Sequence, residues 1–346
     1  MTSCDGARSA LADPVDRILE ISVAGSFSRI GYEIRSRLLP EFARAPEPPL
    51  DGRTVLITGA TSGIGLSAAI RLASHGASVH FLARSKQRAE RTRRQIAVVA
   101  GRAGYDPDGV SYGIADLDSL ASVRDFASAF AAGHDRLDVL IHNAGAIHPG
   151  YQRNDAGLEL TVAGQVVAPF LLTYQLFGLL RQSAPSRVIT VSSGGMYTQG
   201  LDLSTLQMTA ADYNGVTAYA RAKRAQVALS AQWAKRAARS GVAFHATHPG
   251  WVRTPGIAQS LPTFSRLAGP VLRTPDQGAD TIVWLASADP AALSTGRFWH
   301  DRRLRPVYRI PGARPDPLDA GQRLWDWTAE QAGVDASRLP MAETSR

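Results

Sequence analysis

The chain of 346 residues is 45% hydrophobic and 20% charged, a balance that excludes a disordered chain and suits one large folded domain. Its one cysteine, Cys4, can close no internal disulfide, so nothing asks for an oxidising compartment and a cytoplasmic location is expected. The net charge of +8 is spread along the chain without a basic run interleaved with aromatics, which argues against nucleic acid as a partner.

Residues 1–50 carry an amphipathic pattern from Val15 to Phe42 and then the linker APEPPLDG (45–52), whose prolines cannot continue a helix. Six arginines against seven acids leave this N-terminal helical extension nearly neutral, so packing on the domain or on a partner subunit is expected, and membrane association is not. No basic start followed by an apolar core marks a secretory signal.

From Thr54 onward short apolar, β-branched runs alternate with helical patterns, the signature of βα units building a parallel sheet. The predicted strands are 54–58, 78–83, 110–115, 137–142, 187–192 and 242–247, with helices near 63–76, 86–100, 119–133, 156–182 and 215–240. The most apolar stretch, Val166 to Leu180, is interrupted by Pro169, Thr173 and Gln175 and reads as too short and mixed to span a bilayer. The order predicts an α/β fold: a single doubly wound Rossmann-type domain over 51–300, with ligands at the carboxyl ends of the strands. Residues 301–346 form a C-terminal tail with one amphipathic helix around 323–333.

The first strand runs directly into TGATSGIG (58–65) and then a helix, the context a dinucleotide loop requires. Gly59 permits the tight turn, Gly63 lets backbone N–H groups approach a pyrophosphate, and Gly65 allows close helix-on-sheet packing; Thr61, Ser62 and Ile64 complete the loop. The second strand ends in Arg84 and Ser85 with no acid to hold ribose hydroxyls, and the Arg84 fork suits a 2′-phosphate, so NADP(H) is the expected cofactor, with Ser62 and Lys86 as helpers. Asp116 and Leu117 follow the third strand, where a carboxylate would meet the adenine amino group. Asn143, Ala144 and Gly145 close the fourth, where small residues let the backbone approach a ribose.

Only three of the 38 basic residues are lysines, and one of them, Lys223, lies four residues after Tyr219 on a helix-compatible stretch, so both project from one face. An ammonium beside a phenol lowers its pKa from ~10 and readies it for proton exchange with a substrate oxygen. Ser193, at the end of the fifth strand, is placed to hydrogen-bond the same oxygen. No metal site is expected.

In this order and spacing, TGATSGIG, HNAG (142–145), VSSGG (191–195) and YARAK (219–223) resemble the short-chain dehydrogenase/reductase superfamily over roughly residues 52–300. SSGGM (192–196), HPGWVRTPG (248–256), QGADTIVWLA (277–286) and GRFWHDR (296–302) resemble one branch of it more narrowly. The resemblance implies that Lys223 also binds the nicotinamide ribose. It further implies that 249–254 covers the nicotinamide, with Pro249, Gly250, Val252 and Thr254 near it, and that a homo-oligomer forms on the fourth and fifth crossover helices.

GLELTVAGQVVAPFLLT (157–173) places Gln165 where the family carries an asparagine that supports a lysine-linked water, so Gln165 is expected to take part in the relay with altered geometry, and Pro169 to bend its helix. After Thr254, Ile257, Leu261, Phe264, Leu267 and Val271 are positioned to wall an apolar pocket. Function then reads as an NADP(H)-dependent oxidoreductase moving a hydride between nicotinamide and a small-molecule carbonyl or alcohol, hydrophobic or lipid-like. The alternative is an NADP(H)-binding sensor or scaffold impaired in turnover.

Overall fold

In a computed structural model, which describes residues 3–43, 49–309, 316–337 and 339, the apolar runs line up as one sheet. Its strands are β1 (Thr54–Thr58), β2 (Ser78–Ala83), β3 (Val110–Ile114), β4 (Val139–His142), β5 (Ser186–Val191), β6 (Val242–Thr247), β7 (Arg297–His300) and β8 (Arg303–Leu304). They lie in the order β3-β2-β1-β4-β5-β6-β7-β8, parallel except for the last pair. The order reverses between β1 and β4, where Val55, Leu56 and Ile57 pair with Val139, Leu140 and Ile141, which opens the crevice used by ligands in doubly wound sheets. Both faces of β1 and β5 are covered, which is why these strands are apolar without alternation.

Six strands were expected and eight form. The hairpin of β7 and β8 turns on Asp301 and Arg302, both left-handed with φ of 50° and 59°. Such two-residue turns usually advertise themselves through Asn-Gly or Asp-Gly, and here they do not.

Two core clusters fill the faces of the sheet. One gathers Phe126, Leu171, Phe177, Trp233 and Phe244 under the crossover helices; the other gathers Val55, Leu72, Phe81, Ile141 and Ile282. At roughly 1.5–3 kcal/mol for each large apolar side chain buried, these clusters hold the strand ends in fixed register. The apolar stretch read as too short to span a bilayer belongs to a 23-residue helical run, Leu160–Gln182, with 78% of its apolar window buried, so it serves here as a core helix.

Over its described residues the extension folds as four helices: Ser3–Ile21, Val23–Phe27, Arg29–Leu38 and Pro40–Ala43. Serines punctuate it, because Ser22 Oγ accepts from Gly25 N (3.0 Å) and Ser28 Oγ accepts from Gly31 N (3.4 Å), each capping a new helix. Residues 45–48 of the linker lie outside the described residues. The tail supplies helix Ala320–Ala332, which buries Trp325 against Phe170 and Trp233.

Candidate active site

The glycine loop leaves β1 with Gly59 at φ 70°, where a Cβ would lie 2.8 Å from Ala144 Cα. A Cβ on Gly65 would meet Asn143 Nδ2 at 2.3 Å and Gly59 O at 2.4 Å, so helix Gly63–Ala73 starts hard against the sheet. Ser62 occupies the N-cap of that helix without a side-chain cap bond, so its exposed hydroxyl and the first N–H groups are free to face an anion. Thr61 and Ile64 are partly exposed beside it. These are features of a cradle that accepts a dinucleotide pyrophosphate.

At the end of β2 the Arg84 side chain is 70% exposed and lies 3.9 Å from Asp118 at its nearest approach, long enough to leave the guanidinium fork available. Ser85 caps helix Lys86–Arg102, its hydroxyl accepting from Arg88 N. Asp116 is exposed and accepts from Asp118 N at 3.2 Å, while Leu117 packs on the core. Asn143 joins β4 to the glycine loop: its Nδ2 donates to Thr58 O and Gly59 O, both at 3.1 Å, and its backbone N donates to Thr58 Oγ1 at 3.1 Å. Ala144 N donates to Thr58 Oγ1 (3.0 Å), which leaves Gly145 exposed next to the catalytic helix.

Helix Gly215–Arg236 carries Tyr219 and Lys223 toward the end of β5. The Tyr219 hydroxyl hydrogen-bonds Ser193, and Lys223 Nζ sits 5.4 Å from the Tyr219 ring centre. Ser193 Oγ also accepts from Gly195 N at 3.2 Å. Lys223 is 1% exposed and donates to Val191 O (2.9 Å) and to Gln226 Oε1 (3.1 Å). Burial raises the Tyr219 phenol to about 12, against the pull of the Ser193 hydrogen bond. The phenol is therefore not depressed as expected, because its own burial outweighs that bond; burial likewise pushes Lys223 down to about 7.

Gln165 lies beside the same lysine. Its Nε2 donates to Ala146 O at 2.6 Å, and its buried Oε1, without a hydrogen-bond partner, is 3.0 Å from the Cβ position of Gly145, which Lys223 Nζ approaches to 3.1 Å. Its backbone adds a second link. The helix takes a π turn over Ala163–Val167, and Pro169 has no N–H to offer the carbonyl four residues earlier. That carbonyl, Gln165 O, accepts from Gln226 Nε2 at 2.6 Å, while Gln226 Oε1 holds Lys223. Gln226 was missed; its position three residues after Lys223 on one helix face is the signal that finds it.

Losing a hydrogen bond to a charged group costs about 1.5–3 kcal/mol, so Gln226→Leu should lower kcat by about 10–100-fold. Gln165→Asn, which keeps the carbonyl, should lower it far less. Steady-state rates of the two variants beside wild type check this.

In 249–254, Gly250 is left-handed at φ 77°, and the Val252 side chain is buried against Gly278 rather than facing the crevice. Pro249 is partly exposed. Thr254 caps helix Pro255–Ser260, and its methyl lies 3.2 Å from the Cβ position of Gly63, which brings this loop to the glycine loop. Of the expected apolar wall, Phe264 packs on Trp251 at 5.2 Å, whereas Leu267 is 79% exposed and walls nothing.

Residues 53–263 match the family model described as short chain dehydrogenase. Dehydrogenase/reductase SDR family member 12 of Bos taurus, the branch to which the narrower motifs pointed, is 37% identical over 290 residues, 83% of this chain and 88% of its own. Retinol dehydrogenase 14 of Mus musculus is 35% identical over 304 residues, 82% of this chain and 87% of its own. A short chain dehydrogenase from Escherichia coli CFT073 complexed with NADPH shares the fold with a TM-score of 0.60 at 25% identity, over 75% of this chain and 100% of that one. By family match, sheet order and sequence identity alike, the chain belongs to the short chain dehydrogenase family of oxidoreductases.

Proposed function

We propose that the protein is an NADPH-dependent reductase of small-molecule carbonyl compounds. The observation that carries the reading is the convergence of Ser193, Tyr219 and Lys223 beside the glycine cradle at one edge of the sheet. A bound nicotinamide dinucleotide supplies the hydride. Gly59, Gly63 and Gly65 and the N-terminus of helix Gly63–Ala73 hold its pyrophosphate, Arg84 and Ser62 its 2′-phosphate, and Lys223 its nicotinamide ribose. Tyr219 Oη gives its proton to the carbonyl oxygen while Ser193 Oγ donates a hydrogen bond to that oxygen as charge develops. Lys223, fixed by Val191 O and Gln226, stabilises the phenolate that remains. A phenol raised to about 12 is protonated at neutral pH and so is available as the donor in reduction.

The preference for NADPH rests on Arg84 and the absence of an acid at the end of β2, and a retinol dehydrogenase among the relatives supports a hydrophobic substrate. Fluorescence titration should give a lower Kd for NADPH than for NADH, with Arg84→Asp weakening NADPH by roughly 10-fold or more, the worth of a charge-assisted hydrogen bond. Equal constants for the two cofactors would overturn the assignment. NADPH consumption with a panel of ketones and aldehydes tests the reductase itself, since a sensor binds the cofactor without turnover.

A further inference from the structure

The N-terminal extension takes no part in the chemistry above, but it touches the two segments on which that chemistry depends. Helix Val23–Phe27 ends with carbonyls that have no intrahelical donors, and the catalytic domain supplies the donors. Phe27 O accepts from Trp251 N at 2.8 Å and from Arg273 Nε at 3.0 Å. Ser26 O accepts from Arg273 Nη2 at 2.9 Å, and Ser28 O accepts from Arg273 Nε at 3.2 Å.

Arg273 is itself paired with the 249–254 loop through its backbone, Arg273 N donating to Trp251 O (2.7 Å) and Arg253 N to Arg273 O (2.9 Å). The approach is so close that a Cβ on Gly250 would lie 2.7 Å from Phe27 O and 2.5 Å from Arg273 Nε. The Phe27 ring meets His248 edge-on at 4.5 Å, and a Cβ on Gly194, next to Ser193, would lie 2.5 Å from its Cε2.

A buried ionic clasp holds the extension there. Arg35 binds Asp16 (2.7 Å), Glu20 (2.6 Å) and Asp301 (2.8 Å), and Asp301 binds Arg273 at 2.5 Å. Both guanidiniums keep the Asp301 carboxyl far below the ordinary carboxylate range. Removing one partner of such a buried cluster strands the others without compensation.

We propose that the extension is a working part of the active site, in which Phe27 is a positioning residue for the 249–254 loop and the Ser193–Gly195 turn, clamped by Arg35 through Asp301 and Arg273. The inference rests on the reductase reading for what those two segments do. It predicts that disturbing Phe27 impairs binding of NADPH through the 249–254 loop, and impairs substrate binding and turnover through the turn that carries Ser193, while the contacts of Lys223 stay as they are.

The test compares Phe27→Ala, Phe27→Leu and Phe177→Ala in the full-length protein. Phe177 is 1% exposed in helix Ala168–Gln182, packed on Trp233 in the core cluster of the crossover helices, and is the control for lost packing alone. Measured well below each melting temperature, NADPH Kd and substrate KM should rise about 10-fold in Phe27→Ala, since misplacement near 1 Å costs up to ~100-fold. Phe27→Leu should recover most of the loss. Phe177→Ala should lower the melting temperature with both constants unchanged.

If Phe27→Ala is recovered only unfolded, Phe27→Leu carries the test, with a rise of about 2–3-fold in both constants expected from the smaller displacement. Wild-type constants in the folded Phe27 variant would overturn the proposal. The NADPH titration needs no turnover, so a wild-type protein that binds NADPH without reducing any carbonyl would refute the reductase reading and still leave this arm decisive.

Discussion

Tyr219→Phe should lower kcat by about 10²–10⁴-fold, the range expected when a positioned general acid is removed. The phenol is the proton donor in the proposed reduction, and its hydroxyl contacts Ser193. The ring, 5.4 Å from Lys223 Nζ, remains in the variant, so the lysine and the ribose site beside it keep their surroundings. NADPH Kd should therefore match wild type. A single-turnover experiment with NADPH and one accepted carbonyl substrate separates the two effects, and a variant retaining a tenth of wild-type kcat would remove Tyr219 from its role.

Lys223→Met should abolish turnover, and its stability relative to wild type should fall as pH rises from 7 to 10. The lysine is fully buried and its pKa falls from 10.5 to about 7 because burial penalises the ammonium. In the unfolded chain it titrates at the ordinary value, so between pH 7 and 10.5 the unfolded state binds more protons.

A folded pKa below the unfolded one is a cost present in full below pH 7 and relieved as pH rises through that window. At ~1.36 kcal/mol for each pH unit, the relief across the window is roughly 4–5 kcal/mol. The methionine variant forgoes that cost but leaves Val191 O and Gln226 Oε1 short of a donor, worth about 1–3 kcal/mol each at every pH. Its stability relative to wild type should therefore fall steadily from pH 7 to pH 10. Urea titrations at pH 6.5, 8 and 9.5 check the trend, and a pH-independent difference would show that Lys223 is not held in a shifted state.

What could be read from the residues and what could not divides along chain distance. Gly59, Gly63 and Gly65 were legible because a strand, a tight turn and a helix start lie within a few residues of one another, and each leaves its own local mark. Tyr219 and Lys223 were legible for the same reason, as neighbours on one helix face. The bonds from the Asn143 amide to Thr58 and Gly59 were not legible, because those residues lie more than eighty positions away, a distance over which spacing carries no information.

For Gln165 the side chain drew attention, and the bond that its carbonyl accepts from Gln226 was not legible, because it depends on the π turn and on Pro169. The strand β7 and the role of Phe27 were out of reach because both depend on pairings that exist only once the sheet has closed.

The clasp between Arg35 and Asp301 joins residues 266 positions apart, so it sets an order of events on the ribosome. At about 5–20 residues per second, the first helices emerge roughly 13–53 s before the aspartate that they dock against. During that interval Arg35 has only Asp16 and Glu20 of its three carboxylate partners. The extension therefore cannot complete its clasp until residue 301 is synthesised. A chain that stops before that residue should leave its N-terminus more open to proteases than the full chain does.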